Sequence, residues 1–164
     1  MKNSIWHNSQ FRYYVASTSF VGFTFAMQML LVTWLLIGVL NTPPERVGLA
    51  QAIIGIPGFF LMLWGGVSAD RVDPRKLMTR VYGFGILPPL ALAAVVLGGY
   101  LSFWTVTAWA VAISAVISYG GPALTAALNR VSGDKIQEGV TTATAFGFIV
   151  QLCGLAIAGQ LDVI

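Results

Sequence analysis

The fold is decided by residues 81–129, a stretch of 49 residues without a single charged side chain: VYGFGILPPLALAAVVLGGYLSFWTVTAWAVAISAVISYGGPALTAALN. A helix crosses a hydrocarbon core about 30 Å thick with roughly 20 apolar residues, so this stretch is long enough for two crossings. Gly98 and Gly99 supply a break near its middle, because paired glycines strongly favour turns. We therefore predict two transmembrane helices here, at about 78–98 and 103–128.

The charged residues of the whole chain are few and segregated. They make up 9% of the sequence, against 57% hydrophobic residues, whereas a typical soluble domain is about 25% charged. All fifteen lie in five patches, at 1–12, 45–46, 70–80, 130–138 and 162–164. A water-soluble globule is therefore excluded.

Between these patches lie long tracts of Leu, Ala, Val and Ile without strict alternation, which favour helices over membrane strands. The sequence predicts an all-α polytopic membrane protein with about five transmembrane helices. Their approximate bounds are 13–40, 48–69, 78–98, 103–128 and 140–161.

The distribution of basic residues predicts how the chain is oriented. With five spans, the N-terminus and the loops 70–80 and 130–138 share one side of the membrane. That side holds eight Lys or Arg residues, and the other side holds Arg46 alone. The positive-inside rule then predicts a plasma (inner) membrane protein with a cytoplasmic N-terminus and an external C-terminus. These loops account for the net charge of +3, so no nucleic-acid partner is expected.

The most informative connection is GGVSADRVDPRK at residues 65–76, between the second and third predicted spans. It resembles the signature loop of the major facilitator superfamily, Gly-x-x-x-Asp-Arg-x-Gly-Arg-Arg. The matching residues are Gly66, Asp70, Arg71, Arg75 and Lys76. One extra residue precedes the basic pair, and Asp73 stands where most members have glycine. The Ala-Asp-Arg-x-Asp-x-Arg form is similar to that of the enterobactin-exporter-like, drug-efflux branch.

This resemblance implies that the 70–76 loop is a cytoplasmic latch between two halves of a transporter. A carboxylate at a membrane interface is tolerated when it is hydrated, paired or directed at a helix N-terminus. Breaking and remaking such contacts accompanies alternating access in the family. The alternative is a charge cluster that only stops translocation, as any polytopic protein has.

Glycines and prolines in the spans suggest where helices pack closely and where they bend. Small residues allow close approach in lipid, and prolines kink helices. The packing candidates are Gly55, Gly58 and Gly65 in the second span, and Gly154 and Gly159 in the fifth. Kinks are expected at Pro57 and at Pro88-Pro89. Ordinary packing and a sliding surface for a partner half both remain open for the glycines.

Polar residues at depth are candidates for lining a pathway. Spacings of seven and four place Ser17, Thr24 and Gln28 on one face of the first span, and Ser114 and Ser118 lie in the fourth. The resemblance implies that these two spans face the central pathway. The alternative is that the hydroxyls bond to backbone carbonyls or to neighbouring helices.

Enzymatic function is not expected. Asp70 and Asp73 could suggest the metal-binding carboxylates of the membrane phosphatidyltransferases. Those enzymes need further aspartates downstream, whereas residues 74–133 contain no acidic residue. The sequence also lacks a nucleophile elbow, a His-Glu-x-x-His motif and a nucleotide-binding loop. No catalytic residue, cofactor or metal is therefore predicted.

The resemblance covers residues 1–164 as a partial N-terminal transporter domain, an incomplete six-helix half of the major facilitator fold. It implies efflux of a small molecule by a secondary transporter, with the lipid bilayer, an unidentified substrate and a C-terminal half or partner subunit as partners. We expect a fragment, a truncated product or one piece of a split protein. The alternative function is a non-transporting structural or accessory membrane subunit.

Overall fold

The computed structural model describes residues 5–160, and it confirms the all-α architecture. Within these residues every regular element is helical. The helices are α1 (Ser9–Thr33), which continues as a π-helix (Trp34–Val39), α2 (Pro44–Arg71), α3 (Pro74–Phe84), α4 (Leu87–Leu97), α5 (Phe103–Ser132) and α6 (Ile136–Gly159). Short 3-10 turns occupy Ile5–His7 and Gly133–Lys135.

Four helical segments within residues 5–160 are long and apolar enough to cross a membrane. They are Ser9–Val39, Pro44–Arg71, Pro74–Leu97 and Phe103–Gly159. The last segment has 57 residues, which as one straight helix would measure about 85 Å, far more than one crossing requires. It contains both α5 and α6, and Gly133 between them has a φ of 51°, a conformation that glycine adopts without steric cost.

The helix breaks follow from local residue chemistry. The break predicted at the paired glycines is present, since α4 ends at Leu97 and Gly99 has a φ of 72°. The third apolar segment is interrupted earlier than expected, at residues 85–86, between α3 and α4. Pro88 and Pro89 lie in the first turn of α4, where the missing N–H groups cost nothing. Helix α2 continues through Pro57.

The chain divides into two compact units. The described residues of the first unit are 5–30 and 124–160, and the second unit is Leu31–Ala123. In the first unit, Phe11 and Ala26 are almost completely buried.

The second unit has an apolar core between the end of the first span, α2 and α5. Its buried members are Val32, Leu35, Leu36, Ala50, Val106, Trp109, Ala110 and Ile113. Beside it the Thr107 hydroxyl, 2% exposed, donates to the Phe103 carbonyl at 2.7 Å, so a polar group is buried without losing its hydrogen bond. This core fixes α5 against α2 and thereby positions the loop described next.

Candidate functional site

The 70–76 loop is a tight connection with its own helix cap. Helix α2 ends at Arg71 and α3 begins at Pro74, so only Val72 and Asp73 lie between them. The Asp73 carboxylate accepts a hydrogen bond from the Arg75 backbone N–H at 2.9 Å. An N-terminal cap of this kind is worth about 1 kcal/mol. Asp73 therefore has a local structural role at the position where the family usually has glycine.

The charged residues of the loop face outward. Asp70, Arg71, Arg75 and Lys76 are all exposed, and Gly66 is half-buried. Within residues 5–160 the Asp70 carboxylate forms neither an ion pair nor a hydrogen bond. Its charge is therefore solvated in this structure, which is one of the ways an interfacial carboxylate is tolerated.

Beneath these charges the loop rests on a small apolar cluster. Ala69 and Leu77, on either side of the turn, are buried with Ala123 of α5. Pro74 is also buried, and Met78, Val81 and Tyr119 pack against the cluster. Burial of apolar side chains on both sides of a two-residue turn holds α2, α3 and α5 together. The loop is therefore a charged surface on a fixed base.

Tyr119 provides a polar anchor for the same region. Its hydroxyl and that of Ser68 are 2.6 Å apart and share a hydrogen bond between α5 and α2. One turn away, a Cβ placed on Gly65 would lie 3.0 Å from Tyr119 Cα and still closer to the Tyr119 carbonyl oxygen. Sequence reasoning missed Tyr119. The sequence feature that indicates it is an aromatic residue next to Gly120 and Gly121, in a helix otherwise rich in small side chains.

Three of the five candidate packing glycines lie close to another helix, and two do not. Gly58 and Gly65 of α2 approach α5, where a Cβ on Gly58 would lie 2.9 Å from Ser118 Oγ. A Cβ on Gly154 of α6 would lie 3.1 Å from Ala26 Cβ. Gly55 and Gly159 have no described atom within 4 Å of an added Cβ.

The polar stripe of the first span bonds mostly to its own helix. Ser17 Oγ donates to the Tyr14 carbonyl at 2.8 Å, and Thr24 Oγ1 donates to the Phe20 carbonyl at 2.9 Å. Gln28 is 8% exposed and lies among the buried polar residues of the chain. Of the three, Gln28 is the one that is buried, since Ser17 is half-buried and Thr24 is exposed.

The two candidate serines of the fourth span face α2. Ser114 Oγ donates to the Ile54 carbonyl at 3.3 Å, and Ser118 lies against Gly58. In both cases a small α2 residue or backbone group is the neighbour. Contacts between helices of this kind are the alternative to lining a pathway.

Comparison with known families adds a direct finding. A family model described as transmembrane secretion effector, of the major facilitator type, matches residues 4–163. Searches of curated proteins and of solved structures find no match. The matched range includes every described helix and the complete 70–76 loop.

Proposed function

We propose, from the premise that this chain belongs to the transmembrane secretion effector family, that it forms part of a carrier that exports a small molecule by alternating access. The family places the chain among multi-pass membrane transporters and points to transport rather than catalysis. We also propose that the carrier belongs to the enterobactin-exporter-like, drug-efflux branch, which the motif in residues 65–76 supports.

The observation that supports this mechanism most is the arrangement of the 70–76 loop. A base of buried Ala69, Leu77 and Ala123 holds it in place, while Asp70 is exposed and solvated. A charge presented on a fixed base can bind a helix N-terminus or a cation in one conformational state and be hydrated in another. This is what a latch between two halves of a carrier requires.

We further propose that the chain crosses the plasma membrane five times, with its N-terminus in the cytoplasm and its C-terminus outside. The crossings are α1 with its π-helix, α2, α3 with α4, α5, and α6. The eight-to-one excess of basic residues on one side supports this orientation. The 70–76 and 130–138 loops then lie in the cytoplasm.

Gln28 is the residue we propose as the main pathway-lining group. A buried side-chain amide has four hydrogen-bonding positions to satisfy, and a substrate with donors or acceptors can occupy some of them. Ser17 and Thr24 extend the same face towards the start of α1. Ser114 and Ser118 remain candidates for lining a pathway, and in this structure both face α2.

The function is tested by measuring export of a panel of dyes, drugs and siderophores from cells that lack their major efflux pumps. We expect the carrier that contains this chain to export at least one member faster than cells with an empty vector. The 164-residue chain alone should not exceed the empty vector, because substrate sites in this fold lie between two six-helix halves. Gradient-dependent export by the purified chain alone in liposomes would point to a small oligomeric transporter, and absence of export by the carrier would favour an accessory subunit.

A further inference from the structure

The short 3-10 turn Ile5–His7, which precedes the first span, packs against α6. The residues His7, Asn8, Ser9, Gln10 and Arg12 are all exposed, as expected for a polar segment. Ile5, in the 3-10 turn that precedes them, is only 5% exposed. A Cβ placed on Gly139 at the start of α6 would lie 3.4 Å from Ile5 Cδ1, so this isoleucine covers the first turn of α6.

Asn8 makes contacts in two directions. Its side-chain oxygen accepts a hydrogen bond from the Gln10 backbone N–H at 3.0 Å, which caps the start of α1. Its side-chain nitrogen donates to the Val131 carbonyl at 3.0 Å, in the last turn of α5, where carbonyls lack partners within their helix. One amide therefore joins the beginning of α1 to the end of α5.

Trp6 completes the attachment to α6. Its ring meets Phe146 of α6 edge to face, with centroids 5.3 Å apart, and Phe11 of α1 in the same manner at 5.7 Å. Edge-to-face pairs at these separations are favourable. Ile5, Trp6 and Asn8 thus contact α1, α5 and α6 within one compact unit.

The corner under this turn contains a buried group that is not hydrogen-bonded. Ser132, at the end of α5, is 7% exposed, and within residues 5–160 its hydroxyl has no hydrogen-bond partner. A Cβ on Gly139 would lie 2.9 Å from Ser132 Cβ, which shows how closely α5 and α6 approach there. Burying a hydroxyl without a partner is unfavourable, and water would hydrate it if the corner opened.

We propose that residues Ile5–Asn8 form a strap that closes the α5–α6 corner against the start of α1, and that the corner opens when the strap lifts. The contacts of Ile5, Trp6 and Asn8 favour the closed state, and hydration of Ser132 favours the open state. These opposing contributions make the corner a two-state element. The device belongs to this unit and does not depend on what, if anything, the protein exports.

The test measures how fast a cysteine at position 132 reacts with a maleimide in the detergent-solubilised protein. The background is Cys153→Ser, which removes the native cysteine, and Ser132→Cys is the reporter. We expect Ser132→Cys to react at least tenfold more slowly than Asp134→Cys, because position 134 is exposed. Adding Asn8→Asp should accelerate the reporter about tenfold, since aspartate keeps the helix cap but has no N–H for the Val131 carbonyl.

Two controls make the result specific to the strap. Gln10→Glu is the matched change of amide to carboxylate at an exposed position, and it should leave the labelling rate within twofold. Ile5→Ala should accelerate labelling as Asn8→Asp does. The strap is refuted if the Ser132→Cys reporter reacts as fast as Asp134→Cys, if Asn8→Asp has no effect, or if Gln10→Glu has an equal effect. Unchanged melting temperatures of the variants separate local opening from unfolding.

Discussion

Replacing Asp70 with asparagine is expected to reduce export by the carrier at least tenfold while leaving expression and membrane insertion near normal. The side chain is exposed and makes no ion pair within residues 5–160, so folding of this chain does not depend on its charge. In a closed latch, a carboxylate directed at a helix N-terminus can gain up to ~2 kcal/mol. Since about 1.4 kcal/mol is a tenfold change in an equilibrium, losing that charge would shift the balance between states severely.

The matched control for Asp70→Asn is Asp73→Asn, three residues away in the same loop. Asp73 caps α3 through its side-chain oxygen, and asparagine caps helices about as well as aspartate. We therefore expect export to fall less than twofold. The comparison is made as initial export rates of one transported dye, normalised to the amount of protein in the membrane. Equal tolerance of both substitutions would reduce the loop to a topology signal.

A valine at position 65 is expected to destabilise the folded chain by about 3 kcal/mol or more. The Cβ introduced by Gly65→Val would press on the Tyr119 backbone of α5, and a backbone cannot rotate away as a side chain can. Overpacking typically costs about 1–3 kcal/mol, and separating the helices would also break the Ser68–Tyr119 hydrogen bond. The measurement is thermal unfolding in detergent, with a decrease in Tm of roughly 6–12 °C on the scaling of soluble domains.

The control for this substitution lies in the same helix. Gly55→Val introduces the same side chain where no described atom lies within 4 Å of the added Cβ, so we expect a change below about 1 kcal/mol. A similar loss of stability in both variants would show that glycine is needed in α2 for another reason than its contact with α5.

Elements that depend on local chemistry could be predicted from the sequence. The positions of the apolar helices follow from the uncharged tracts, because lipid requires internally satisfied backbone and apolar side chains. The break at Gly98-Gly99 follows from the ability of glycine to adopt positive φ, which Gly99 does. The break at residues 85–86 was harder to foresee, since the prolines at 88–89 are compatible with both a kink and a new helix start.

Contacts between distant segments could not be predicted. The second span offers several glycines at helical spacing, but which of them meets α5 depends on the rotation of one helix against another. Gly65 packs on Tyr119 while its neighbour Gly66, the glycine of the motif, has no described atom within 4 Å of an added Cβ. The hydrogen bond from Asn8 to Val131 joins residues 123 positions apart, and no local pattern indicates it.

The proposed transport mechanism requires that the chain crosses the membrane five times with the 70–76 loop in the cytoplasm. It is tested most directly by single cysteines, in the Cys153→Ser background, at the exposed positions Glu45, Val72, Ser102 and Asp134. Intact cells are treated with a membrane-impermeant maleimide, and permeabilised cells provide the reference. We predict labelling of positions 45 and 102 in intact cells, and of positions 72 and 134 only after permeabilisation. Labelling of position 72 in intact cells, or of 72 and 102 from the same side, would contradict both the five-span threading and the cytoplasmic latch.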